Sequence, residues 1–365
     1  MIYTIFILIS FVILVMLFMQ QTQFGQLPKG EYLSRIQASE NYQLKSFKNK
    51  SHTPDLTEGV SYWKVTRDFI FKENKRTKPV HLIPSVKTSI KSLKTEMDVL
   101  IWFGHSSYFM QVDGRKILVD PVLSGNASPL SFTTKSFAGT DVYTPDDFPE
   151  IDYLFISHDH WDHLDFKTIK ALKPKIKQII CGLGVKAHLL RWGFTESQII
   201  EKDWDESVEL EEGFKVNTTS ARHFSGRGFK RNQSLWMSYV LTTPTKKIFI
   251  GGDSGYDSHF AEIGAAFGPF DWAILECGQY DQSWKYIHMM PEEVAQAAVE
   301  LKAKMLLPVH WAKFSLGNHD WDEPINRVTK AAKQLGIAYK TPMIGELLHL
   351  DNHEQVTNEW WKGLK

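Results

Sequence analysis

An unbroken apolar run stands at the start of the chain. Residues 2–19 read IYTIFILISFVILVMLFM and carry no charged side chain. As a helix this run would rise about 27 Å, close to the hydrocarbon thickness of a bilayer. The pattern predicts a single-pass membrane anchor over residues 1–20. A cleaved signal peptide is the alternative, although no basic residue precedes the run and no small-x-small cleavage site follows it.

The next stretch, residues 21–95, is polar and has few sustained apolar patterns. It predicts an irregular N-terminal extension packed on a main domain. The first basic residues, among them Lys29, Arg35 and Lys45, all follow the apolar run. By the positive-inside tendency, they favour the cytoplasmic side of the membrane for the rest of the chain.

Short runs rich in β-branched and aromatic residues begin near residue 96 and indicate strands. DVLIWFG, SYFMQVD and KILVDP are separated by Gly and Asp turns, which predicts an antiparallel start. Further strands are predicted at YLFIS, QIICG, SYVLTT, KIFIGGD, WAILEC and MLLPVHW, alternating with helices near 165–173, 184–192, 258–266 and 291–303. The pattern therefore predicts an α/β domain over residues 96–350 and a C-terminal tail at 351–365.

Charge and cysteine content argue against two classes of protein, nucleic-acid-binding proteins and disulfide-stabilised proteins. The 42 basic and 42 acidic side chains cancel, so no overall field attracts nucleic acid, and a nucleic-acid partner is not expected. The two cysteines, Cys181 and Cys277, lie in or near apolar strand sequence. They exclude a disulfide framework and are predicted to be buried thiols.

Potential metal ligands are most concentrated in SHDHWDH, residues 157–163, directly after the apolar segment IDYLFI. His158 and His160 are one residue apart, and Asp162 with His163 follows, so one turn offers a pair of ligands to each of two metal ions. Mixed imidazole and carboxylate donors suit zinc and its neighbours, with iron and manganese left open. An exposed polar loop is a poor alternative, because so many ligand types after a buried strand rarely occur without a use.

Three later residues extend the predicted metal set. His223 follows FKVNTTS, Asp253 ends KIFIGGD, and His310 ends MLLPVH. Open α/β sheets gather their sites at such strand ends. Gly251 and Gly252 let the backbone approach closely before Asp253, which leaves its carboxylate available to bridge two cations.

The order His-x-His-x-Asp-His, then His, Asp and His, resembles the ligand order of the metallo-β-lactamase superfamily over residues 98–350. The chain is most similar to the branch of N-acyl-phosphatidylethanolamine-hydrolysing phospholipase D and its bacterial relatives. The segments that carry this likeness are WFGHSSYFMQVDGRKILVDPVLS, DWDESVEL, GDSGYDSHFAEIGAAFGPFDWAILECGQY, KYIHMMPEEVAQA and PVHWAKF, with FGQLPKGEYLSRIQASENY resembling a bacterial leader.

The resemblance implies an αββα sandwich, in which two sheets pack face to face and helices lie outside. It implies a first zinc held by His158, His160 and His223, and a second held by Asp162, His163 and His310. Asp253 would bridge them.

The resemblance also implies catalytic roles for Asp162 and for His288 in KYIHMMPEEV, where the histidine would protonate a leaving alkoxide or hold a phosphate oxygen. A structural role is the alternative for His288. Asp120 in LVDP is expected to hydrogen-bond a ligand histidine, whereas His105 in GHSS is expected to be structural.

Several neighbours of the site have two interpretations. One or more of Arg222, Arg227, Lys230 and Arg231 would contact phosphate, or all would form an exposed basic loop. The loop at 124–144 carries Phe132, Phe137 and Tyr143 and would cover the site or touch a membrane surface, with Trp284 and Tyr286 adding to an apolar lip. Ordinary packing is the alternative for each aromatic residue.

These features predict a di-zinc phosphodiesterase that releases an N-acylethanolamine and a phosphatidic acid from N-acyl-phosphatidylethanolamine-like lipids, in contact with a membrane. Two cations would ionise a shared water and stabilise charge on the phosphate. A lactonase or a sugar-phosphate ester hydrolase with the same metal site is the main alternative. A nucleic-acid hydrolase, a redox protein and a non-enzymatic membrane protein are disfavoured, and a homodimer is left open.

Overall fold

The computed structural model describes residues 2–71 and 76–364. The strands of the described residues are β1 (Tyr42–Gln43), β2 (Ser46–Phe47), β3 (Val99–Trp102), β4 (Tyr108–Val112), β5 (Arg115–Val119), β6 (Ile151–Ile156), β7 (Ile176–Gly182), β8 (Ile199–Lys202), β9 (Ser207–Glu211), β10 (Phe214–Thr219), β11 (Ser238–Thr242), β12 (Lys247–Ile250), β13 (Phe270–Glu276), β14 (Ala303–Val309) and β15 (Leu347–His349).

The α-helices of the same residues are α1 (Ile2–Met19), α2 (Gly30–Gln37), α3 (Tyr62–Phe71), α4 (Phe166–Leu172), α5 (Val185–Arg191), α6 (His259–Ala266), α7 (Pro291–Glu300) and α8 (Glu323–Leu335). The four helices predicted between residues 165 and 303 are confirmed as α4 to α7. Helix α7 starts as its sequence suggests, since Pro291 is its first residue and Glu292 and Glu293 lie in its first turn.

Two sheets form the centre of the fold. The seven-stranded sheet has the order β15-β3-β4-β5-β6-β7-β8, and the six-stranded sheet has the order β14-β13-β12-β11-β10-β9. Strands β3, β4 and β5 are antiparallel, which confirms the predicted start, and β5 to β8 then run parallel. The other sheet also combines an antiparallel half, β9 to β12, with a parallel half, β12 to β14.

Both faces of the seven-stranded sheet are buried, because successive side chains of a strand point to opposite faces and each face is covered by another layer. In β3, Leu100 and Trp102 pack in the core shared with β10 and β11 of the other sheet. The intervening Ile101 packs on the opposite face, where α4 and α5 contribute Ile169 and Val185. On the other side, α7 packs on β13 and β14, and α8 packs on α7. This layering confirms the α/β metallo-β-lactamase-like sandwich.

The predicted membrane-spanning anchor is not supported. Residues 2–19 do form α1, and its apolar side chains are exposed, as at Phe6 and Leu14. Within residues 2–71 and 76–364, no helix is both long enough and apolar enough for a membrane crossing.

The prediction of an irregular segment over residues 21–95 is wrong in part, since α2, α3 and the β1–β2 hairpin lie there. These short elements are held by contacts with the main domain. The Tyr32 hydroxyl of α2 donates to Glu201 on β8, and the Asn41 amide donates to Asp203 at 2.8 Å. Helices this short are marginally stable alone, so contacts with the main domain stabilise them.

Candidate metal centre

The cluster forms where four strands end at one edge of the two sheets. The 157–163 turn follows β6, His223 follows β10, Asp253 follows β12, and His310 is the residue after β14. The structure brings all seven sequence-predicted ligands together in this place. Their role as ligands stays a prediction, since the geometry shows proximity and donor chemistry only.

Three histidines form one half of the cluster. His158 Nε2 lies 2.9 Å from His160 Nδ1, and His223 Nε2 lies 3.3 Å from the same His160 atom. These donor atoms all fall within 4.8 Å of one another. Three imidazole nitrogens at this spacing are a suitable donor set for zinc.

The other half contains Asp162, His163 and His310, whose donor atoms lie within 4.8 Å of one another and of His105. Asp253 lies between the halves. One of its oxygens, Oδ2, is 3.0 Å from His163 Nε2 and 3.8 Å from His158 Nε2, while Oδ1 is 3.3 Å from His310 Nδ1. This carboxylate therefore occupies the position that a bridging ligand needs.

Hydrogen bonds behind the cluster fix the orientation of its histidines. The Asp120 carboxylate accepts from His163 Nδ1 at 2.9 Å, which confirms the expected contact and leaves Nε2 directed at the site. The backbone N–H and the hydroxyl of Ser157 also donate to Asp120, at 2.8 and 2.6 Å. His223 Nδ1 donates to the Ile287 carbonyl at 2.7 Å. Such partners set the tautomer of a ligand histidine.

His105 is buried and its Nε2 lies 2.8 Å from the Asp162 carboxylate, so it holds a predicted ligand in place. This contact agrees with the expected structural role. His105, Asp120 and His310 all have positive φ angles, of 52°, 40° and 70°. Non-glycine residues rarely adopt this conformation, which costs about 1–3 kcal/mol and tends to cluster at functional sites.

Burial and neighbouring charge set the protonation of the cluster. Burial lowers the pKa of His160 to about 4 and holds the pKa values of His158, His223 and His310 well below the usual range. Burial also acts on His163, but the Asp253 and Asp162 carboxylates outweigh it and raise the pKa of that imidazole. The neutral histidines already have the protonation state that metal binding requires at pH 7.

The donor set fits a pair of divalent cations. Among the described residues, the buried Nε2 of His310 and Oδ1 of Asp253 have no hydrogen-bond partner. Buried polar atoms almost always have a hydrogen-bond partner, so these two unpaired atoms are suited to binding metal cations. Five imidazoles with two carboxylates suit zinc, iron or manganese better than magnesium or calcium, which prefer oxygen ligands.

A network that the sequence did not reveal holds the ligand turn from behind. The Arg227 guanidinium is buried and donates to the carbonyls of Asp159 and Leu164 at 2.9 and 2.7 Å, and to the Gln23 carbonyl at 2.9 Å. It also lies over the ring of Trp161, 3.9 Å from the centroid. The residues that follow α1 are thereby joined to the turn that carries the predicted ligands.

Two other basic residues near His223, Arg222 and Arg231, also have protein partners, whereas Lys230 is exposed. Arg222 donates to the carbonyls of His52 and Tyr256, and Arg231 pairs with Asp55 at 2.9 Å. The alternative of a wholly exposed basic loop is therefore wrong for Arg227, which is buried, and these guanidinium groups serve packing and loop anchoring.

A cavity of about 370 Å³ opens over the cluster. Its lining joins predicted ligands to His288, and its rim includes Trp161, Phe224, Trp284, Ile287 and Leu316. His288 is itself buried, with its ring centroid 5.0 Å from that of His223. The structure thus places the predicted catalytic histidine beside the first ligand group.

A second groove, of about 330 Å³, runs beside this cavity, and Trp161 lines both. The groove combines apolar side chains from three segments: Phe18, Pro129, Leu130, Phe132, Trp161 and Phe166. Of the loop aromatics, Phe132 is exposed, whereas Phe137 and Tyr143 are buried in the core. Burial of these two side chains confirms the alternative of ordinary packing for them.

Residues 115–311 match the β-lactamase superfamily domain, and the chain belongs to this superfamily. The fold and the site define the class as metal-dependent hydrolases. A Mycobacterium tuberculosis protein is 36% identical over 290 residues, which are 78% of this chain and 77% of that protein.

The N-acyl-phosphatidylethanolamine-hydrolyzing phospholipase D 1 of Caenorhabditis elegans is 32% identical over 238 residues, or 60% of this chain and 65% of that protein. Among solved structures, Igni18, a metallo hydrolase from Ignicoccus hospitalis, is similar in fold, with a TM-score of 0.54 over 69% of this chain and 97% of its own, at 19% identity. The superfamily match and the phospholipase D relative confirm the resemblance to the metallo-β-lactamase superfamily and to the branch that contains N-acyl-phosphatidylethanolamine-hydrolysing phospholipase D.

Proposed function

We propose that this hydrolase cleaves a phosphodiester of a membrane lipid, in the manner of a phospholipase D acting on N-acyl-phosphatidylethanolamine-like substrates. Two zinc ions are the proposed cofactors. The observation that carries the lipid assignment is the apolar groove beside the metal cavity, because a phosphodiester in the cavity would leave an attached acyl chain next to Trp161 and Leu130.

The cluster supports hydrolysis as follows. Cations held there would supply Lewis acidity, activate water near neutral pH and neutralise charge on phosphate oxygens. His158, His160, Asp162, His163, His223, Asp253 and His310 are the residues that would hold them. His288 faces the same cavity, so we assign to it proton transfer to the leaving alcohol oxygen.

Product analysis tests this proposal most simply. The zinc-loaded full chain is incubated with N-acyl-phosphatidylethanolamine, phosphatidylcholine, a simple alkyl phosphodiester, a lactone panel and a sugar-phosphate panel. Mass spectrometry should find an N-acylethanolamine and a phosphatidic acid. Turnover of lactones or sugar phosphates with intact lipids would reject the proposal and favour the alternative substrates.

The groove gives a second test. Each methylene that enters it should raise kcat/KM by about two- to fourfold until the groove is full. Leu130→Asp, at a partly exposed groove position, should flatten this dependence on chain length. Leu44→Asp is the matched control, since Leu44 is exposed and does not line the groove. If kcat/KM increased equally with acyl-chain length in both variants, this groove would be excluded as the acyl site.

A further inference from the structure

Glu276 is a fully buried carboxylate beside the metal cavity that no role described above explains. It is the last residue of β13, and its side chain is 0% exposed. Burying a carboxylate is costly unless donors surround it. The structure supplies three such donors, and their positions determine what the carboxylate can do.

One oxygen of Glu276 is used by the backbone. Oε1 accepts from the N–H of Met289 at 3.0 Å and faces the N–H of Ser254 at 3.4 Å. The other oxygen, Oε2, lies 3.1 Å from Nδ1 of His288. Burial raises the pKa of Glu276, whereas the N–H groups of Met289 and Ser254 favour its ionised form. In that form the carboxylate only accepts hydrogen bonds, so Nδ1 of His288 carries a proton in this contact.

The orientation of His288 follows from that contact. With Nδ1 turned to Glu276, Nε2 is the ring nitrogen left for the cavity, which His288 lines. The rings of His223 and His310 flank it, with centroids 5.0 and 5.3 Å away. The histidine is therefore held in one tautomer and one direction, as the acid of a Ser-His-Asp triad holds its histidine.

The donor atoms of Glu276, Asp253, His288 and His310 also lie within 4.8 Å of one another, so Glu276 has the proximity of a metal ligand. Its hydrogen bonds argue against that role. Both oxygens already accept from donors, and ligation through Oε2 would remove the partner of His288 Nδ1. A role in orienting His288 is consistent with every hydrogen bond that Glu276 makes in the structure.

We propose that Glu276 is a positioning residue that fixes His288 with its Nε2 toward the leaving-group oxygen; this inference rests on the proposed phosphodiester hydrolysis. Water oxygen forms a bond to phosphorus while the bond from phosphorus to the leaving alcohol oxygen breaks. That oxygen takes a proton from Nε2, and the proton released by the attacking water restores the histidine.

Glu276→Gln is the decisive change. The N–H groups of Met289 and Ser254 still need an acceptor, so the amide oxygen stays with them and the NH₂ group faces His288 Nδ1. A donor at that place opposes the Nδ1 proton, which the ring needs once Nε2 has given up its own. The variant is nearly isosteric, which separates orientation from packing.

The expected result depends on the leaving group. Zinc-loaded E276Q should lose about 10²- to 10⁴-fold in kcat with an alkyl phosphodiester, with KM little changed. Bis(p-nitrophenyl) phosphate has a leaving group that needs no proton, so its rate should stay within about threefold. E276Q/H288A should be no slower than H288A, because residues that act as a unit are not additive.

Glu201→Gln is the matched control. Glu201 is also buried, accepts from the N–H of Gly184 at 2.7 Å and from the Tyr32 hydroxyl, and does not line the cavity. This variant should keep both rates. Equal losses on both phosphodiesters in E276Q, or a fall in its zinc content, would overturn the proposal in favour of a structural or ligating role.

A readout without turnover separates the two proposals. In zinc-loaded protein with ¹⁵N-labelled histidine, the His288 signals, assigned by comparison with H288A, should show a protonated Nδ1 that E276Q loses. If the wild type cleaves neither phosphodiester, the proposed function fails, and this spectrum alone decides whether Glu276 orients His288. An unchanged tautomer in E276Q would refute the positioning role.

Discussion

Removing the Arg227 guanidinium should loosen the turn that carries the predicted ligands. Arg227→Met keeps the length of the side chain but deletes the hydrogen bonds to the carbonyls of Asp159, Leu164 and Gln23. It also removes the cation over the ring of Trp161. Burial lowers the pKa of Arg227 to about 10, so the group is still a cation at neutral pH in the wild type.

The magnitude follows from the three acceptors. A hydrogen bond from a charged donor contributes about 1.5–3 kcal/mol, so three of them would contribute about 4.5–9 kcal/mol if they were additive. Because contributions within one network are not additive, we expect the free energy of unfolding to fall by the lower part of that range, about 4–5 kcal/mol. Because the guanidinium orients the turn that holds His160 and Asp162, metal affinity should also fall about 10- to 100-fold.

Urea unfolding and chelator competition measure the two effects. Arg115→Met is the control, since Arg115 forms a bidentate pair with Glu211 at a half-exposed position. An exposed pair contributes about 0–1 kcal/mol, so the control should unfold near the wild-type midpoint. Wild-type urea midpoint and metal affinity in R227M would refute the view that this residue stabilises the turn.

Three further predictions concern the cluster. Asp120→Asn removes the carboxylate that accepts from His163 Nδ1, and should weaken binding of one of the two metals by about 10- to 100-fold in a zinc titration; unchanged affinity for both would contradict this. In metal-free protein, burial lowers the pKa of His160 to about 4 from about 6.5 unfolded. Unfolding takes up a proton between these pH values, so the free energy of unfolding should fall by about 1.4 kcal/mol per pH unit for each such histidine as pH drops through the window, whereas His163, with a raised pKa, is protonated in both states there and adds no slope. Asp253, whose pKa is raised to about 6 by burial, and Glu276, whose pKa burial also raises, take up their protons in the folded state first and oppose this slope. The four histidines with lowered pKa values outnumber these two groups, so urea midpoints should still decrease between pH 7 and pH 4.5, and a flat profile would exclude this protonation scheme. Removing metal with a chelator should lower the unfolding temperature, because the ions bind only the folded cluster; identical unfolding temperatures with and without zinc would rule out tight binding.

The sequence was most informative where chemistry and strand ends coincide. His223, Asp253 and His310 each follow a recognisable strand, so their convergence on the 157–163 turn followed from the geometry of α/β sheets. Most strands and the four helices in residues 165–303 were predictable from their apolar patterns, but the short strands β8 and β9 were not predicted. The short helices α2 and α3 were missed although both are amphipathic, because the polar composition of residues 21–95 was interpreted as irregular structure.

Residues that act through tertiary contacts were missed. Nothing local shows that Arg227 is buried, because its three acceptors come from distant segments. Glu276 did carry a signal: it ends WAILE, a carboxylate closing an otherwise apolar strand, which predicts a buried charge with partners. The anchor predicted from the apolar run at residues 2–19 is a helix, as its composition suggested, but its role as a membrane span is not supported.

Metal stoichiometry tests the central claim most directly. Elemental analysis of the purified full chain, loaded with zinc and freed of excess, should find two ions per chain. Asp253→Ala should retain fewer than two and lose lipid phosphodiester hydrolysis, because its carboxylate lies between both ligand groups. A metal-free chain that hydrolyses the lipid at the full rate, or an Asp253→Ala variant that keeps both ions and full activity, would contradict the account.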